Sequence, residues 1–260
     1  MNILNKLTLW VTVLGMLTLS FFSPHLSAAG ESRVITKEVS YYQGQEDVTG
    51  YLARPNDNQQ HPAIILIHEW WGLNDWIKEN ARKFASLGYV ALAVDLYNGE
   101  AATSRDQARK LATHVRSNMD EAFKNLEQAI AFLKGQTRHV IPTRLGSIGW
   151  CFGGGWSYQM AKNNLGVKAS VIYYGFFNPK DDLGKMRATI IGNFAEKDRG
   201  IRVDNVREFQ AKLKTLSGDH EIYIYANTGH AFANPVSGNY DKAAAELAWK
   251  RTITFLEKYL

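Results

Sequence analysis

The sequence predicts an α/β protein with a mostly parallel central sheet, helices on both faces and an antiparallel N-terminal edge. Three observations carry this. Short apolar runs such as Ala63-Ile64-Ile65-Leu66-Ile67 have the composition of strands buried on both faces of a parallel sheet. Segments with helical spacing alternate with those runs. Ahead of them, two segments alternate apolar and polar residues, as half-exposed antiparallel strands do. A chain of 260 residues can bury one large core, and no second domain boundary interrupts it.

The two alternating segments are residues 34–42 and 47–53, joined by a turn at Gln43-Gly44-Gln45. A polar loop, 55–62, leads to the strand at 63–67. Asp75 is the expected cap of a helix over 76–87, which Gly88 stops. Residues 89–94 form the next buried strand. Helical spacing then covers 103–134, with a break near Ser117-Asn118. In its second half Ala122, Leu126, Ala129, Ile130 and Leu133 share one face. The strand at 145–150 enters a helix ending near Asn163. Strands follow at 167–174, 187–194 and 220–225, with helices at 203–216 and 240–259.

The N-terminal segment has a different character. Lys6 is its only Lys, Arg, Asp or Glu, an apolar run covers 7–22, and Pro24 precedes Ser27-Ala28-Ala29. That is the pattern of a secretory signal peptide cleaved after Ala29. The expected organisation is therefore a signal peptide over 1–29 and a single domain over 30–260, with a periplasmic or secreted address. The alternative is an uncleaved membrane anchor. After cleavage no stable membrane association is expected. A net charge of +5, without a basic run interleaved with aromatics, argues against nucleic acid. Cys151 is the only cysteine, so no intrachain disulfide can form. An unpaired thiol in an oxidising compartment fits a protected catalytic group better than a structural one.

The most informative stretch is Gly149-Trp150-Cys151-Phe152-Gly153-Gly154-Gly155. It stands where a strand ends and a helix begins, with Cys151 at the apex of a Gly-x-Cys-x-Gly pattern. This is a nucleophile elbow with a thiol in place of the usual hydroxyl. The glycines are needed because so sharp a turn leaves no room for side chains two positions away. Polar residues gather just past the ends of several strands: Glu69, Asp95, Cys151, Asp198 and His230. In open α/β sheets that edge is where sites lie. The order nucleophile, acid, histidine is met by Cys151, Asp198 and His230. Cys151 would attack an acyl carbon, His230 would carry the proton, and Asp198 would orient the imidazole. Taken singly, Asp198 reads more readily as a helix cap, and His230 can be read as a loop histidine. The oxyanion hole is expected from the backbone amides of Phe152 and Trp70. Trp70, Trp71, Trp76, Trp150, Phe152 and Trp156 would wall the pocket.

These stretches together resemble the dienelactone hydrolase family, whose fold is the α/β-hydrolase fold. The resemblance rests on His68-Glu69-Trp70-Trp71-Gly72-Leu73-Asn74, Asp95-Leu96-Tyr97, Gly149-Trp150-Cys151-Phe152-Gly153-Gly154, Glu196-Lys197-Asp198 and Gly229-His230-Ala231-Phe232. It implies a Cys-His-Asp hydrolase of carboxylic esters or lactones, working through a thioester acyl-enzyme without metal or organic cofactor. It also implies that Glu69 sits beside the thiol and helps to generate the thiolate. A carboxylate so placed opposes ionisation of the resting thiol, and a neutral thiol resists oxidation. Substrate contacts are expected at Trp71, Tyr97, Trp150 and Asn234. The family's two carboxylate-binding arginines are absent, their places being held by Asn98-Gly99 and by Asn234. Neutral substrates are therefore expected to be preferred, unless Arg105 or Arg199 substitutes. The expected partner is a small-molecule ester or lactone, and the expected state a monomer, with a dimer as alternative. The competing function is a non-catalytic small-molecule-binding protein of the same fold. A redox role is disfavoured because no resolving cysteine exists.

Overall fold

The computed structural model describes residues 33–44 and 48–260. The expected signal segment, 1–29, lies outside the described residues, as does part of the first turn. The elements are β1 (Val34–Ser40), β2 (Thr49–Pro55), β3 (His61–Ile67), α1 (Asp75–Ser86), β4 (Val90–Val94), α2 (Arg105–Ser117), α3 (Met119–Gly135), β5 (Val140–Trp150), α4 (Phe152–Lys162), β6 (Ala169–Tyr173), β7 (Thr189–Ala195), α5 (Val203–Leu213), β8 (Glu221–Tyr225) and α6 (Lys242–Tyr259). The described strands form one sheet in the order β1-β2-β4-β3-β5-β6-β7-β8. β1 pairs antiparallel with β2, and β2 with β4; all other pairs are parallel.

The pleat explains the two cores. Along β3, Ala63, Ile65 and Ile67 face the layer containing α2, α3, α4 and α5. Ile64 and Leu66 face α1 and α6 on the other side. β4 divides in the same way, with Val90, Leu92 and Val94 on one face and Ala91 and Ala93 on the other. Strands buried on both faces need apolar residues at every position, which is why they read as continuous runs. Each fully buried Ile or Leu contributes about 1.5–3 kcal/mol.

Local signals set the helix ends. The cap of α1 is Asn74, not Asp75: its side chain accepts from the Ile77 N–H at 3.3 Å. Asn74 holds the extended backbone that a cap requires, while Asp75 is already helical and favours the positive end of the dipole. Ser104 caps α2 through the Gln107 N–H, and Asp241 caps α6 through the Ala244 N–H. The expected break falls at Asn118, which ends α2 and starts α3. β5 begins earlier than expected, at Val140, and its register against β3 shifts between His61 and Ala63. The shifted stretch contains Pro142, which has no N–H to give to a ladder.

Candidate active site

At the end of β5 the chain turns through Cys151, whose φ is 54° and ψ −114°. Its N–H donates to the Tyr173 carbonyl of β6 at 2.9 Å, which pins the apex to the neighbouring strand. Two glycines make the turn possible. A Cβ on Gly149 would lie 2.0 Å from the Gly153 carbonyl oxygen, and one on Gly153 would lie 2.1 Å from the Ile67 carbonyl oxygen. Backbone cannot move aside as a flexible side chain can. Gly153→Ala is therefore expected to lower stability by about 3 kcal/mol or more, the upper end of overpacking costs. Urea denaturation of the variant checks this; a midpoint equal to wild type would refute the packing argument.

Asp198 and His230 meet beside the elbow. Asp198 Oδ2 accepts from His230 Nδ1 at 2.6 Å. Its other oxygen accepts from the N–H groups of Gly200 and Ile201, at 2.8 and 3.1 Å. Burial pushes the Asp198 carboxyl up, but the imidazole and these two amides outweigh it and hold the group below its usual range. Asp198 is not a helix cap: α5 starts after Arg202, which makes no side-chain cap bond. With Nδ1–H donated to Asp198, the other side of the ring is left for the Cys151 sulfur. Burial lowers the proton affinity of His230, yet Asp198 and the sulfur, the latter in its ionised form, more than reverse this, raising its pKa to about 10. The geometry brings together all three residues that the strand-end order selected.

Glu69 lies on the loop after β3 and is 3% exposed. Its Oε2 accepts from Asn234 Nδ2 at 2.6 Å, across 165 residues of sequence. Its Oε1 has no partner among the described residues. Burial raises its pKa to about 7, against the opposing pull of Asn234, His230 and Tyr174. The loop itself is held by His68, to which the sequence reading gave no role, and by Tyr97, which it had expected to contact substrate. His68 is fully buried; its Nδ1 donates to the Glu69 carbonyl at 2.6 Å and its Nε2 accepts from the Leu96 N–H at 3.2 Å. That pair of bonds fixes one neutral tautomer, and burial keeps the ring from charging. The Tyr97 hydroxyl donates to the Trp70 carbonyl at 3.2 Å. The peptide carrying the Trp70 N–H is thus fixed on both sides. Phe152 opens α4, so its N–H has no intrahelical acceptor.

A cavity of about 440 Å³ lies over the elbow, lined by Glu69, Trp70, Trp71, Arg105, Cys151, His230 and Asn234, among others. Trp71 and Asn234 are where the sequence reading placed them, although Asn234 is engaged by Glu69. Two expected contacts are corrected. Trp150 lies 2% exposed on the α1/α6 face, its ring 5.2 Å from that of Trp76, because the pleat puts it on the same side as Ile148. Tyr97 is buried behind the loop, between His68 and Phe152, and does not line the cavity. Trp156 packs on Phe123 and Phe152 within the other core. The cavity also contains a cation. Arg105 lies in the cavity wall; Asp106, next to it in sequence, pairs with Arg109 instead, while Arg199 lines an adjoining depression beyond His230. No three His, Cys, Asp or Glu side chains among the described residues converge as a metal site.

Comparison with known proteins identifies the family. The model of the dienelactone hydrolase family matches residues 48–260. A relative from Aquifex pyrophilus, protein usf, is 36% identical over 220 residues, covering 82% of this chain and 94% of its own. A protein of Aquifex aeolicus named "Putative carboxymethylenebutenolidase" is 32% identical over 220 residues, with the same coverages. Among solved structures, a dienelactone hydrolase-like promiscuous phosphotriesterase from metagenomic libraries superposes with a TM-score of 0.79. It is 20% identical, and the match covers 87% of this chain and 99% of that one. At that identity the structural likeness speaks for the fold. The family match over the described domain, with the relatives' identity, establishes that this chain is a hydrolase belonging to the dienelactone hydrolase family.

Proposed function

We propose that the protein hydrolyses carboxylic esters or lactones through a Cys-His-Asp triad and a thioester acyl-enzyme. The observation that carries this is the chain Asp198–His230–Cys151, held at an elbow whose glycines admit no side chain. In acylation the Cys151 sulfur forms a bond to the substrate carbonyl carbon, and the thiol proton passes to His230 Nε2. The C–O bond then breaks, and the imidazolium returns the proton to the leaving oxygen. In deacylation a water attacks the thioester, giving a proton to the same nitrogen, and the C–S bond breaks to restore the thiol. For a lactone the leaving oxygen stays tethered to the acyl group throughout, and hydrolysis of the thioester releases a single hydroxy acid. The Trp70 and Phe152 amides are assigned to the developing oxyanion. Glu69 is assigned to the thiol's proton balance, opposing ionisation until substrate arrives.

Arg105 bears on substrate charge. A single guanidinium in the cavity wall offers a charge-assisted contact to a carboxylate. The relative's printed name, carboxymethylenebutenolidase, denotes a lactone carrying such a carboxylate. The absence of the family's two arginines therefore does not leave this pocket without a cation. We assign the protein both neutral and anionic lactones, with Arg105 serving the latter.

The test is a panel of aryl acetates and lactones against the purified chain, with intact mass measured after rapid quenching. An acyl adduct on Cys151 that turns over is expected; turnover without any adduct would refute the covalent route. Arg105→Ala should lower kcat/KM for an anionic lactone about tenfold and leave a neutral aryl acetate within about twofold. Equal losses on both would remove Arg105 from substrate recognition.

The N-terminal segment is assigned to export, giving a periplasmic or secreted enzyme that begins at Gly30. The support is the pattern of Lys6, the apolar run and Ser27-Ala28-Ala29. Intact mass of protein recovered from the native source tests it, and a retained Met1 in the membrane fraction would favour the anchor.

A further inference from the structure

Tyr174 follows β6 and is fully buried, yet its hydroxyl has no hydrogen-bond partner within ordinary distance among the described residues. A buried phenol normally finds one, and each orphan calls for an explanation. Its neighbour supplies the other half of the problem. The hydroxyl sits beside Glu69, whose Oε1 is the second orphaned oxygen of this region, and within electrostatic reach of Cys151. The ring packs edge-on against His230, with centroids 5.2 Å apart, and against Phe232 at 5.4 Å. One tyrosine thus touches or faces Glu69, Cys151 and His230.

The backbone is bent to put it there. Tyr174 has φ = 37°, in the left-handed region that a bulky residue adopts only under constraint. Strand alternation would send it to the face opposite Tyr173. Instead both tyrosines lie in the α1/α6 core. The bend is fixed on either side. The Tyr174 N–H donates to the Asn193 carbonyl at 2.8 Å, and Gly175 presses on the elbow helix so closely that a Cβ there would lie 2.2 Å from Gly154. Strain held this firmly beneath a candidate nucleophile, with an unpartnered polar tip, marks a functional placement.

We propose that Tyr174 is a positioning residue: its hydroxyl is the donor for Glu69 Oε1, and it sets the pH at which Glu69 takes up a proton. Asn234 holds one oxygen of the carboxylate and Tyr174 the other. The phenol is suited to this because burial, then the charges of Glu69 and Cys151, keep it protonated far above neutral pH. The other groups facing Glu69 are His230 after β8, Cys151 at the elbow and Arg105 from the start of α2 across the cavity. His68, on the same loop, is neutral with both nitrogens engaged. A donor to the ionised form lowers a carboxyl's proton affinity, so losing the Tyr174 hydroxyl must move Glu69 upward from its value near 7.

This inference rests on the role given to Glu69 and Cys151 above, and one experiment separates the two. The rate of iodoacetamide alkylation of Cys151 is followed against pH in the full chain, with ester hydrolysis measured on the same samples. Wild type should show an inflection near pH 7, and Glu69→Gln should lack it. Tyr174→Phe should move it upward by about half a unit or more. Should Tyr174→Phe fail to fold, 3-fluorotyrosine at position 174 keeps the ring, strengthens the donor and should move the inflection down. An inflection unmoved by either change, but lost in Glu69→Gln, overturns the role of Tyr174 and leaves the site reading intact. An inflection that survives in Glu69→Gln overturns the role of Glu69 together with that of Tyr174. Alkylation that leaves hydrolysis unaffected overturns the nucleophile, and this inference with it.

Discussion

Cys151→Ala is expected to lower ester hydrolysis on the order of 10³-fold or more, because the members of a triad act as a unit and their separate losses do not add. No other cysteine exists to substitute. The fold should survive. Alanine keeps the same Cβ at φ 54°, so the strain at the apex is unchanged, and only the half-buried sulfur is removed. The elbow is held by its backbone: the Cys151 N–H to Tyr173 and the close approach of Gly153 to β3 remain. The measurement is kcat/KM for a neutral aryl acetate, beside a thermal melt. A folded variant with more than about a tenth of wild-type activity would end the assignment.

His230→Ala should be as damaging as loss of the thiol, because the leaving oxygen then has no proton donor and the attacking water no base. Asp198→Asn tests a finer point. The amide can still occupy the loop and accept from Gly200 and Ile201 through its oxygen, so the local structure is retained. What changes is the atom facing His230 Nδ1, now an N–H donor. The imidazole must then carry its proton on Nε2, pointing it at the sulfur that has to give one up. A loss of about 10²-fold is expected, milder than for a serine triad because a thiol parts with its proton more readily. Steady-state kinetics at neutral pH and at about two units above it check this. Full activity of Asp198→Asn at neutral pH would send the orienting role to another carboxylate.

The fold, and the meeting of Cys151, Asp198 and His230 past the strand ends, were legible in the sequence for a definite reason. Strands such as 63–67 and 90–94 are apolar at every position because both of their faces are buried, and the elbow glycines are forced by contacts within a few residues. Such signals are local. The errors arose where geometry is decided elsewhere. Trp150 stands next to the nucleophile in sequence, yet a pleat sends consecutive side chains to opposite faces, and it packs on Trp76. Asn74 and Asp75 are both good capping residues, and only the backbone dihedrals choose between them. Tyr174 and His68 were given no role, and Arg105 was named only as one of two substitute cations, because nothing beside them in sequence reveals their surroundings. The pairing of β6 with β5 brings Tyr174 under the elbow, and the bond from Asn234 to Glu69 spans most of the domain. His68 had one sequence signal, its place at the head of the Glu69 loop.

The buried Glu69 has a thermodynamic consequence for the whole domain. Its proton affinity is set near pH 7 in the folded protein and near 4.5 in an exposed chain. Between these values the folded state binds more protons than the unfolded state, so unfolding releases a proton there. Linkage then makes stability fall as pH rises from about 4.5 to about 7 and stay constant above, so far as this one group is concerned. The difference amounts to about 3 kcal/mol, against a total of roughly 5–15 kcal/mol for a domain of ordinary stability. At neutral and alkaline pH the domain therefore holds this carboxylate at a standing cost to its own folding equilibrium, and that cost is largest in the pH range where the group is ionised.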